Sequence, residues 1–494
     1  MKYKSTRSNT ATAVSSAIAI KNGLAPDGGL YMPESIPTLT REDLATLSDM
    51  SYPERAAKIL SLYLTDYTEE ELLSDCRAAY GTERFPGGAA PLSPVDAEVT
   101  ALELWHGPTC AFKDMALQIM PRLLSRALKK TGETRTALIL VATSGDTGKA
   151  ALEGYRDVEG IRILVFYPTD GVSRIQKLQM ITQEGSNVGV RGIYGNFDDA
   201  QSGVKRIFGD AAIREELDQK GIFLSSANSI NWGRLAPQIA YYVSAYCDMV
   251  KAGQIKMGEP LDVSVPTGNF GNIFAAYLAR RMGVPLGRLI CASNENNVLT
   301  EFLETGVYDR RRAFHTTVSP SMDILISSNL ERLLFLCFGP ERTAECMKNL
   351  SENGVYSLAE EEMDEIRSVF SGYFCNEEET AEHIRSAFTR YSYLMDTHTA
   401  VGYGACRKHL AASGEGAPIV LASTASPYKF APAVHLAATG DAVSDGTEAL
   451  LALHAISKTE IPPQLCGLAE KPILHPDVIT PEAMAEAVLT FAAH

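Results

Sequence analysis

The chain has 494 residues, and its 45 Lys and Arg against 60 Asp and Glu give a formal charge of −15 at neutral pH. Such a length exceeds what a single hydrophobic core supports comfortably, so we expect two or three lobes. The acidic balance argues against duplex nucleic acid as the main partner, because binding a phosphate backbone needs a basic surface. It leaves room for a small anion held in a local pocket.

The sequence also argues against a membrane protein, a secreted protein and a metalloprotein. Its longest apolar runs, residues 137–142 and 161–167, are far shorter than the roughly 20 residues of a membrane-spanning helix. Polar residues interrupt the segment after Arg7, so no signal peptide is predicted. The nine cysteines include no CxxC pair and no zinc-like spacing. We therefore expect a cytoplasmic protein with free thiols and no metal ion.

The predicted elements begin with a turn-rich region, residues 1–95, which we interpret as an N-terminal lobe. Beyond it, short β-rich runs alternate with helical patterns, which is typical of an α/β fold with parallel sheets covered by helices. Continuous apolar runs suit strands that are buried on both faces. The predicted strands are residues 136–143, 161–167, 261–266 and 419–423.

The segment 360–409 is charged and partly helical, and we expect it to cover the sheet. Ile384, Phe388, Tyr391 and Met395 recur at helical spacing and predict one apolar stripe.

Lys113, in the segment ELWHGPTCAFKD, follows Ala111 and Phe112 and precedes a helical pattern. Apolar surroundings at a helix N-terminus disfavour the ammonium ion and favour the neutral amine that a Schiff base needs. The alternative is a surface lysine whose aliphatic stem covers the start of the helix. Pro121 predicts that this helix is either kinked or restarts.

Three further loops follow predicted strands, where α/β folds gather ligands. In SGDTG, residues 144–148, glycines permit a tight turn and Asp146 can accept a hydrogen bond, although an ordinary turn has the same composition. PTGNFGN, residues 266–272, has two glycines at a helix start and suits a phosphate, with a ligand-free turn as the alternative. In TASPYKF, residues 424–430, the Thr424 hydroxyl either faces a ligand or caps a helix.

Taken together, these motifs, preceded by GLAPDGGLYMP (residues 23–33) and joined by SANSINWGR (226–234), resemble the threonine synthases of the long bacterial and fungal type. The matches occur in the family's order over residues 23–430. The resemblance implies a pyridoxal 5′-phosphate enzyme of fold type II, similar to the tryptophan synthase β subunit. Its implied domains are residues 1–95, a large cofactor-binding domain of 96–142 and 230–494, and a smaller mobile domain of 143–229.

The resemblance also implies the site. Lys113 corresponds to the lysine that forms the Schiff base, Asp146 to the residue beside the ring oxygen, and Thr424 to the hydroxyl that faces the pyridine nitrogen. The loop that holds the cofactor phosphate corresponds to Gly268, Asn269, Phe270, Gly271 and Asn272. The implied substrate-binding residues are His106, Thr109, Ser144, Asn228, Ser229, Asn231 and Arg234. Ser426 stands where the family often has histidine.

The implied reaction converts O-phospho-L-homoserine and water into L-threonine and phosphate, and a monomer is the family-level expectation. Another fold type II lyase acting on serine or threonine is the nearest alternative, and a non-catalytic threonine-synthase-like protein is a second. His106 is a phosphate ligand or a structural histidine, and His398 lines the pocket or caps a helix. Arg174 and Lys177 add charge near the pocket or lie on a solvated helix face.

Overall fold

The computed structural model describes residues 1–169, 172–414 and 416–493. An N-terminal region of short helices packs beside two sheets, each of which is covered by helices. The predicted α/β architecture with parallel sheets is confirmed. Its first elements are β1 (Tyr3–Ser5), α1 (Ser16–Asn22), β2 (Tyr31–Pro33), α2 (Arg41–Ser48), α3 (Tyr52–Tyr63) and α4 (Glu69–Tyr80).

The middle of the chain alternates strands and helices, as the hydrophobic pattern predicts. Its elements are β3 (Leu92–Pro94), β4 (Val99–Glu103), α5 (Asp114–Leu117), α6 (Met120–Lys130), β5 (Thr136–Ala142), α7 (Asp146–Tyr155), β6 (Ile161–Pro168), α8 (Arg174–Ile181), β7 (Val188–Ile193), α9 (Phe197–Gly209), α10 (Ala211–Gln219), β8 (Ile222–Ser225), α11 (Trp232–Leu235), α12 (Pro237–Lys251), β9 (Leu261–Pro266), α13 (Gly271–Arg281) and β10 (Leu286–Ser293).

The rest of the chain is mainly helical, and α15 is broken at Gly339. Its helices and strands are α14 (Val298–Thr305), β11 (Val307–Asp309), α15 (Leu330–Asn353), β12 (Val355–Ser357), α16 (Glu360–Arg367), β13 (Phe370–Phe374), α17 (Glu377–Tyr391), α18 (Thr397–Ser413), β14 (Ile419–Ser423), α19 (Ala431–Thr439), α20 (Thr447–Ser457), β15 (Val478–Ile479) and α21 (Met484–Ala493). Short 3₁₀ helices cover Pro320–Met322, Pro427–Phe430, Pro463–Leu465, Leu468–Glu470 and Pro481–Ala483.

The larger sheet has the strand order β13-β10-β9-β14-β4-β3 and is parallel except for β3. Helix α18 covers one face, and α13 packs against β9 and β10. Strands β9 and β14 are buried along their whole length, which suits their mainly apolar sequences. Because β4, β14 and β9 are parallel neighbours, the loops after all three meet at one edge of the sheet.

The second sheet is parallel and has the order β15-β7-β6-β5-β8. It uses strands from outside the predicted smaller domain, residues 143–229: β5 ends at Ala142, and β15 comes from the far end of the described chain. The domain boundaries stay a prediction.

Two local predictions about helices can be compared with the structure. The helix after Lys113 restarts, because α5 ends at Leu117 and α6 begins with Pro121 in its first turn, where a missing N–H costs nothing. The prediction that one helical stripe extends to Met395 was wrong at its end. Helix α17 stops at Tyr391, and Ser392 has a left-handed conformation with φ 57°.

Aromatic packing fixes the N-terminal region against the rest of the protein. Trp232 is fully buried between Tyr3 and Tyr63, with ring centroids 5.4 and 5.5 Å from its own. This packing anchors α11, the short helix that carries Arg234. Within the described residues, no helix is long and apolar enough to cross a membrane, and no cluster of three or more His, Cys, Asp or Glu side chains could hold a metal ion.

Candidate active site

Lys113 is positioned by backbone hydrogen bonds between the segment that follows β4 and the segment that follows β14. The amide of Phe112 donates to the carbonyl oxygen of Thr424 (2.8 Å), and the amide of Ser426 donates to that of Cys110 (3.0 Å). Cys110 has φ 59°, which turns the chain before the lysine. Lys113 and Thr424 are therefore neighbours, although 311 positions separate them in the sequence.

Thr424 does not cap a helix. The cap of the following 3₁₀ helix is Ser426, whose hydroxyl accepts from the amide of Tyr428. Thr424 is buried, and its own amide donates to the hydroxyl of Thr399 (3.3 Å). The Thr424 side chain is thus left free of a capping role, and Ser426, the departure from the family pattern, has a structural one.

The Lys113 amine is buried, with 8% of the residue exposed, and it donates to the hydroxyl of Ser321 (3.0 Å). Burial lowers its pKa to about 8, opposed by the negative charge of Asp146 and reinforced by the positive charges of Arg234 and Lys429. The surface-lysine alternative is therefore excluded by its burial. A substantial fraction of the amine is neutral near physiological pH, as nucleophilic chemistry requires.

Asp146 lies at the start of α7, after Gly145, whose φ of 140° suits only glycine. Its carboxylate binds the ammonium group of Lys429 (2.6 Å) and accepts from the amide of Gln176 (2.9 Å). Burial alone would raise the pKa of this carboxyl, but Lys429 and Lys113 hold it well below its usual range. The ion pair joins the second sheet to the edge of the first.

The glycine loop, residues 266–272, joins β9 to α13 and has a shape that the sequence did not predict. The left-handed residue is Phe270, with φ 63°, whereas neither Gly268 nor Gly271 has a positive φ. Gly268 is needed for a different reason. A Cβ atom there would lie 2.6 Å from the carbonyl oxygen of Ser321, which is too close for any real side chain.

Asn272, in the first turn of α13, has an unused hydrogen-bond donor. Its Oδ1 accepts from the hydroxyl of Tyr242, which identifies the other side-chain atom as Nδ2. That nitrogen is buried and has no partner among the described residues. Asn269 is fixed beside it, since its carbonyl oxygen accepts from the amide of Asn329 (3.0 Å). A buried donor at a helix N-terminus suits an anion.

Arg234 is buried with only one hydrogen bond from its guanidinium group among the described residues, from Nη1 to the carbonyl oxygen of Ala227 (2.7 Å). Burial lowers its pKa to about 10, and its charge acts on the amine of Lys113. The remaining donors of this cation are available to a ligand.

The other residues of SANSINWGR lie differently. The side-chain amide of Asn231 donates to the carbonyl oxygen of Ile20 (2.8 Å) and accepts from the amide of Gly233 (2.9 Å), so it caps α11. Asn228 is exposed and Ser229 is half-buried. Of this segment, Arg234 has the clearest capacity to bind an anion.

The predicted residues near Lys113 in sequence are mostly tied to the protein. His106 bonds to the carboxylate of Glu103 (2.8 Å) and stacks on Trp105. The hydroxyl of Thr109 donates to Asp114 (2.7 Å). Ser144 is half-buried at the start of its loop. Two basic residues on α8 differ in exposure: Arg174 is exposed and Lys177 is half-buried.

Comparison with known proteins identifies the family. Residues 2–80 match the family model "Threonine synthase N terminus", residues 89–425 "Pyridoxal-phosphate dependent enzyme", and residues 399–488 "Threonine synthase, C-terminal". The threonine synthase of Pseudomonas aeruginosa is 39% identical, over 90% of this chain and 91% of that one.

The chain belongs to the threonine synthase family.

The PLP-bound threonine synthase from Brucella melitensis has the same overall structure, with a TM-score of 0.88, 37% identity and coverage of 100% of both chains. The fold type II expected from the sequence is thereby confirmed. Human threonine synthase-like 1 is 39% identical, and the alignment covers 84% of this chain but 57% of that longer protein. This chain therefore spans a little over half the length of that relative.

The residues at the site fit pyridoxal phosphate, the cofactor of the matched family. Lys113 supplies a buried amine of lowered pKa, and Asn272 Nδ2 supplies a buried donor without a partner. Gly268 keeps the loop free of a side chain where the backbone passes Ser321. An amine for the aldehyde and a donor set for the phosphate are the two features that this cofactor needs.

Sequence reasoning missed several residues of the site. Lys429 lies within the TASPYKF motif, and its ammonium group is buried against Asp146. Gln176 reaches the same carboxylate from α8. Ser321 had no signal in the sequence, because it lies in a short 3₁₀ helix far from Lys113 along the chain. A lysine directly after an apolar strand and turn is a signal that could have identified Lys429.

Proposed function

We propose that this protein converts O-phospho-L-homoserine and water into L-threonine and phosphate. The observation that carries the proposal is the presence of two separate anion-binding groups around one buried amine. One is the glycine loop with the unpartnered Asn272 donor, and the other is the buried Arg234 guanidinium. A phosphorylated substrate and a phosphorylated cofactor together need two such sites.

The cofactor is assigned to the large sheet's edge. We assign its phosphate to Gly268, Asn269, Phe270, Gly271 and Asn272, since this loop combines the start of α13 with an unused donor. Thr424 offers a neutral hydroxyl to the ring nitrogen. A carboxylate at this position would keep the ring nitrogen protonated, whereas a hydroxyl does not require it. Asp146 would place a negative charge beside the bound cofactor, where this charge favours the protonated form of the Lys113 nitrogen.

Arg234 is assigned to the phosphate of the substrate. A guanidinium group presents a planar fork that matches phosphate oxygens, and burial strengthens the attraction because little water screens it. Ser144, Asn228 and Ser229 are the predicted neighbours that could add hydrogen bonds, whereas the amide of Asn231 is already used within the protein.

The reaction moves protons among carbon atoms and replaces one oxygen substituent. The bound cofactor supplies the electron sink for the carbanion that forms when the α proton leaves. Lys113 is the base placed to take and return protons, because its lowered pKa keeps both protonation states populated near neutral pH. Arg234 stabilises the phosphate as the Cγ–O bond breaks. A water molecule then supplies the hydroxyl group that forms the new Cβ–O bond.

The test is turnover of O-phospho-L-homoserine by the purified protein with pyridoxal phosphate, with threonine and phosphate measured together. We expect the two products in equal amounts and no comparable deamination of serine or threonine. Arg234→Met should reduce turnover of the phosphorylated substrate at least about a hundredfold, as loss of a buried charge-assisted contact implies. Arg311→Met, at an arginine that is 58% exposed, is the control and should remain active.

Two other results would overturn the proposal. Deamination of serine or threonine without use of the phosphorylated substrate would indicate another fold type II lyase. Cofactor binding without any turnover would indicate a non-catalytic relative.

We also propose that the protein acts in the cytoplasm as a monomer. Its cysteines within the described residues are all free thiols, as a reducing compartment favours. Light scattering of the holoenzyme tests the monomer, with a mass near 53.5 kDa expected.

A further inference from the structure

A chain of hydrogen bonds runs from the Lys113 amine into the protein core. Lys113 Nζ donates to the hydroxyl of Ser321 (3.0 Å), and the backbone amide of Ser321 donates to His398 Nε2 (3.1 Å). The other ring nitrogen of His398, Nδ1, lies 2.9 Å from Oδ1 of Asp396. His398 is 2% exposed and Asp396 is completely buried.

The donors in this chain determine the state of the histidine. A backbone N–H can only donate, so Nε2 of His398 carries the lone pair. The ring proton is then on Nδ1, where Asp396 accepts it. Asp396 is itself fixed as the N-cap of α18, since it accepts from the amides of His398 (2.9 Å) and Thr399 (3.3 Å). The rigid start of a helix thereby fixes Ser321.

The turn that carries Ser321, residues 318–322, is also held on its other sides. Thr397 donates to the carbonyl oxygen of Val318 (2.7 Å), and Asn294 donates to the hydroxyl of Ser319 (2.9 Å). The carbonyl oxygen of Ser321 lies against Gly268, where a Cβ would come within 2.6 Å. Ser321 therefore contacts both the lysine and the glycine loop without freedom to shift.

We propose that Ser321 is a catalytic residue whose hydroxyl holds the Lys113 amine whenever that amine is not joined to the cofactor, and that His398 and Asp396 are its positioning residues. This inference rests on the proposed function. A neutral amine with one N–H bound to Ser321 has restricted rotation about the Cε–Nζ bond. Its lone pair stays available to accept a proton or to attack an aldehyde.

The same contacts would exist if His398 merely stabilised the fold, so the test must separate the two roles. His398→Gln and His398→Asn provide a matched pair. The glutamine side chain places its terminal atoms near the position of Nε2 and can still accept from the amide of Ser321. The asparagine side chain reaches the position of Nδ1, so it can bind Asp396 but not Ser321.

The first measurement is the rate at which the cofactor-free protein captures pyridoxal phosphate, followed by visible absorbance. Ser321→Ala should slow capture at least about tenfold, the effect expected for one hydrogen bond that orients a reacting group. His398→Asn should match Ser321→Ala, whereas His398→Gln should stay within about threefold of the unmodified protein. Urea denaturation of both His398 variants checks that they are folded to a similar extent.

The second measurement is turnover of O-phospho-L-homoserine. We expect kcat to fall about tenfold or more in Ser321→Ala and His398→Asn, with KM nearly unchanged, since neither residue is assigned to the substrate. Equal effects of the two His398 substitutions would overturn the positioning role. Capture at the unmodified rate by Ser321→Ala would overturn the role of the hydroxyl, even if neither His398 variant folds.

Failure of this inference can be distinguished from failure of the proposed function. Capture of the cofactor does not involve the phosphorylated substrate. A protein that captures the cofactor in a Ser321-dependent manner but forms no threonine would retain the role of Ser321 and disprove the reaction.

Discussion

The lowered pKa of Lys113 predicts an unusual pH dependence for cofactor capture. An amine with a pKa of about 8 is neutral about a quarter of the time at about pH 7.5, whereas at the ordinary value of 10.5 about one molecule in a thousand is neutral. Between about pH 7 and about pH 9, the neutral fraction of Lys113 should rise about tenfold and then level off. For an ordinary lysine it would rise about a hundredfold and continue to climb.

The direction of this effect follows from its physical cause. Burial disfavours the ammonium form, so the proton leaves Lys113 at lower pH than it leaves a solvated amine. The assay is stopped-flow capture of pyridoxal phosphate by the cofactor-free protein across this pH range. An acylating reagent applied to Lys256, whose side chain is 90% exposed, provides the reference for a solvated amine.

Two variants test the same reasoning with opposite signs. Asp146→Asn removes the negative charge that raises the pKa of Lys113, so the midpoint should move to lower pH. Arg234→Met removes a positive charge that lowers this pKa, so the midpoint should move to higher pH. A capture rate that climbs without a plateau to about pH 10, the range of an unperturbed lysine, would refute the desolvated amine.

Three further substitutions test the structure. Lys429→Met should lower the free energy of unfolding in urea by about 3–5 kcal/mol, because it leaves the Asp146 carboxylate buried without its cation. The control, Lys408→Met, removes a half-exposed ion pair and should cost less than about 1 kcal/mol. Equal losses in the two variants would contradict the burial argument. Gly268→Ala should weaken equilibrium binding of pyridoxal phosphate about tenfold or more, because the new Cβ atom meets the Ser321 carbonyl oxygen. In the control, Gly209→Ala, the new Cβ atom enters open space, so this variant should bind the cofactor normally. Asn231→Ala should lower the unfolding free energy by about 1–3 kcal/mol, because it removes the cap of α11 and the hydrogen bond to Ile20. The control is Asn228→Ala, at an exposed position. Equal stability of the two variants would show that these bonds contribute little.

Four buried strands, β5, β6, β9 and β14, and the loops after them could be predicted from the sequence. Residues 136–142, 261–266 and 419–423 are mainly apolar, and such runs form strands wherever both faces are covered. Lys113 could be placed at a helix start, and the glycine loop at the start of another, because turn residues and apolar periodicity are local signals. The family resemblance then implied their roles.

The end of helix α17 and the conformation of the glycine loop could not be predicted from nearby residues in the sequence. Ser392 and Phe270 take left-handed conformations that their residue types do not favour, so packing around them must decide the backbone. Gly268 is a glycine because of the Ser321 carbonyl oxygen, which is distant in sequence. No pattern within the loop could reveal that contact.

The sequence by itself determined the α/β elements, the candidate lysine and the loops that surround it, because each depends on neighbours within a few residues. The tertiary structure alone decided which charges act on that lysine. Burial sets its pKa, Lys429 pairs with Asp146, and the Ser321 hydroxyl accepts its hydrogen bond. Desolvation and Coulomb interactions depend on distances in space, which the order of residues along a chain does not specify.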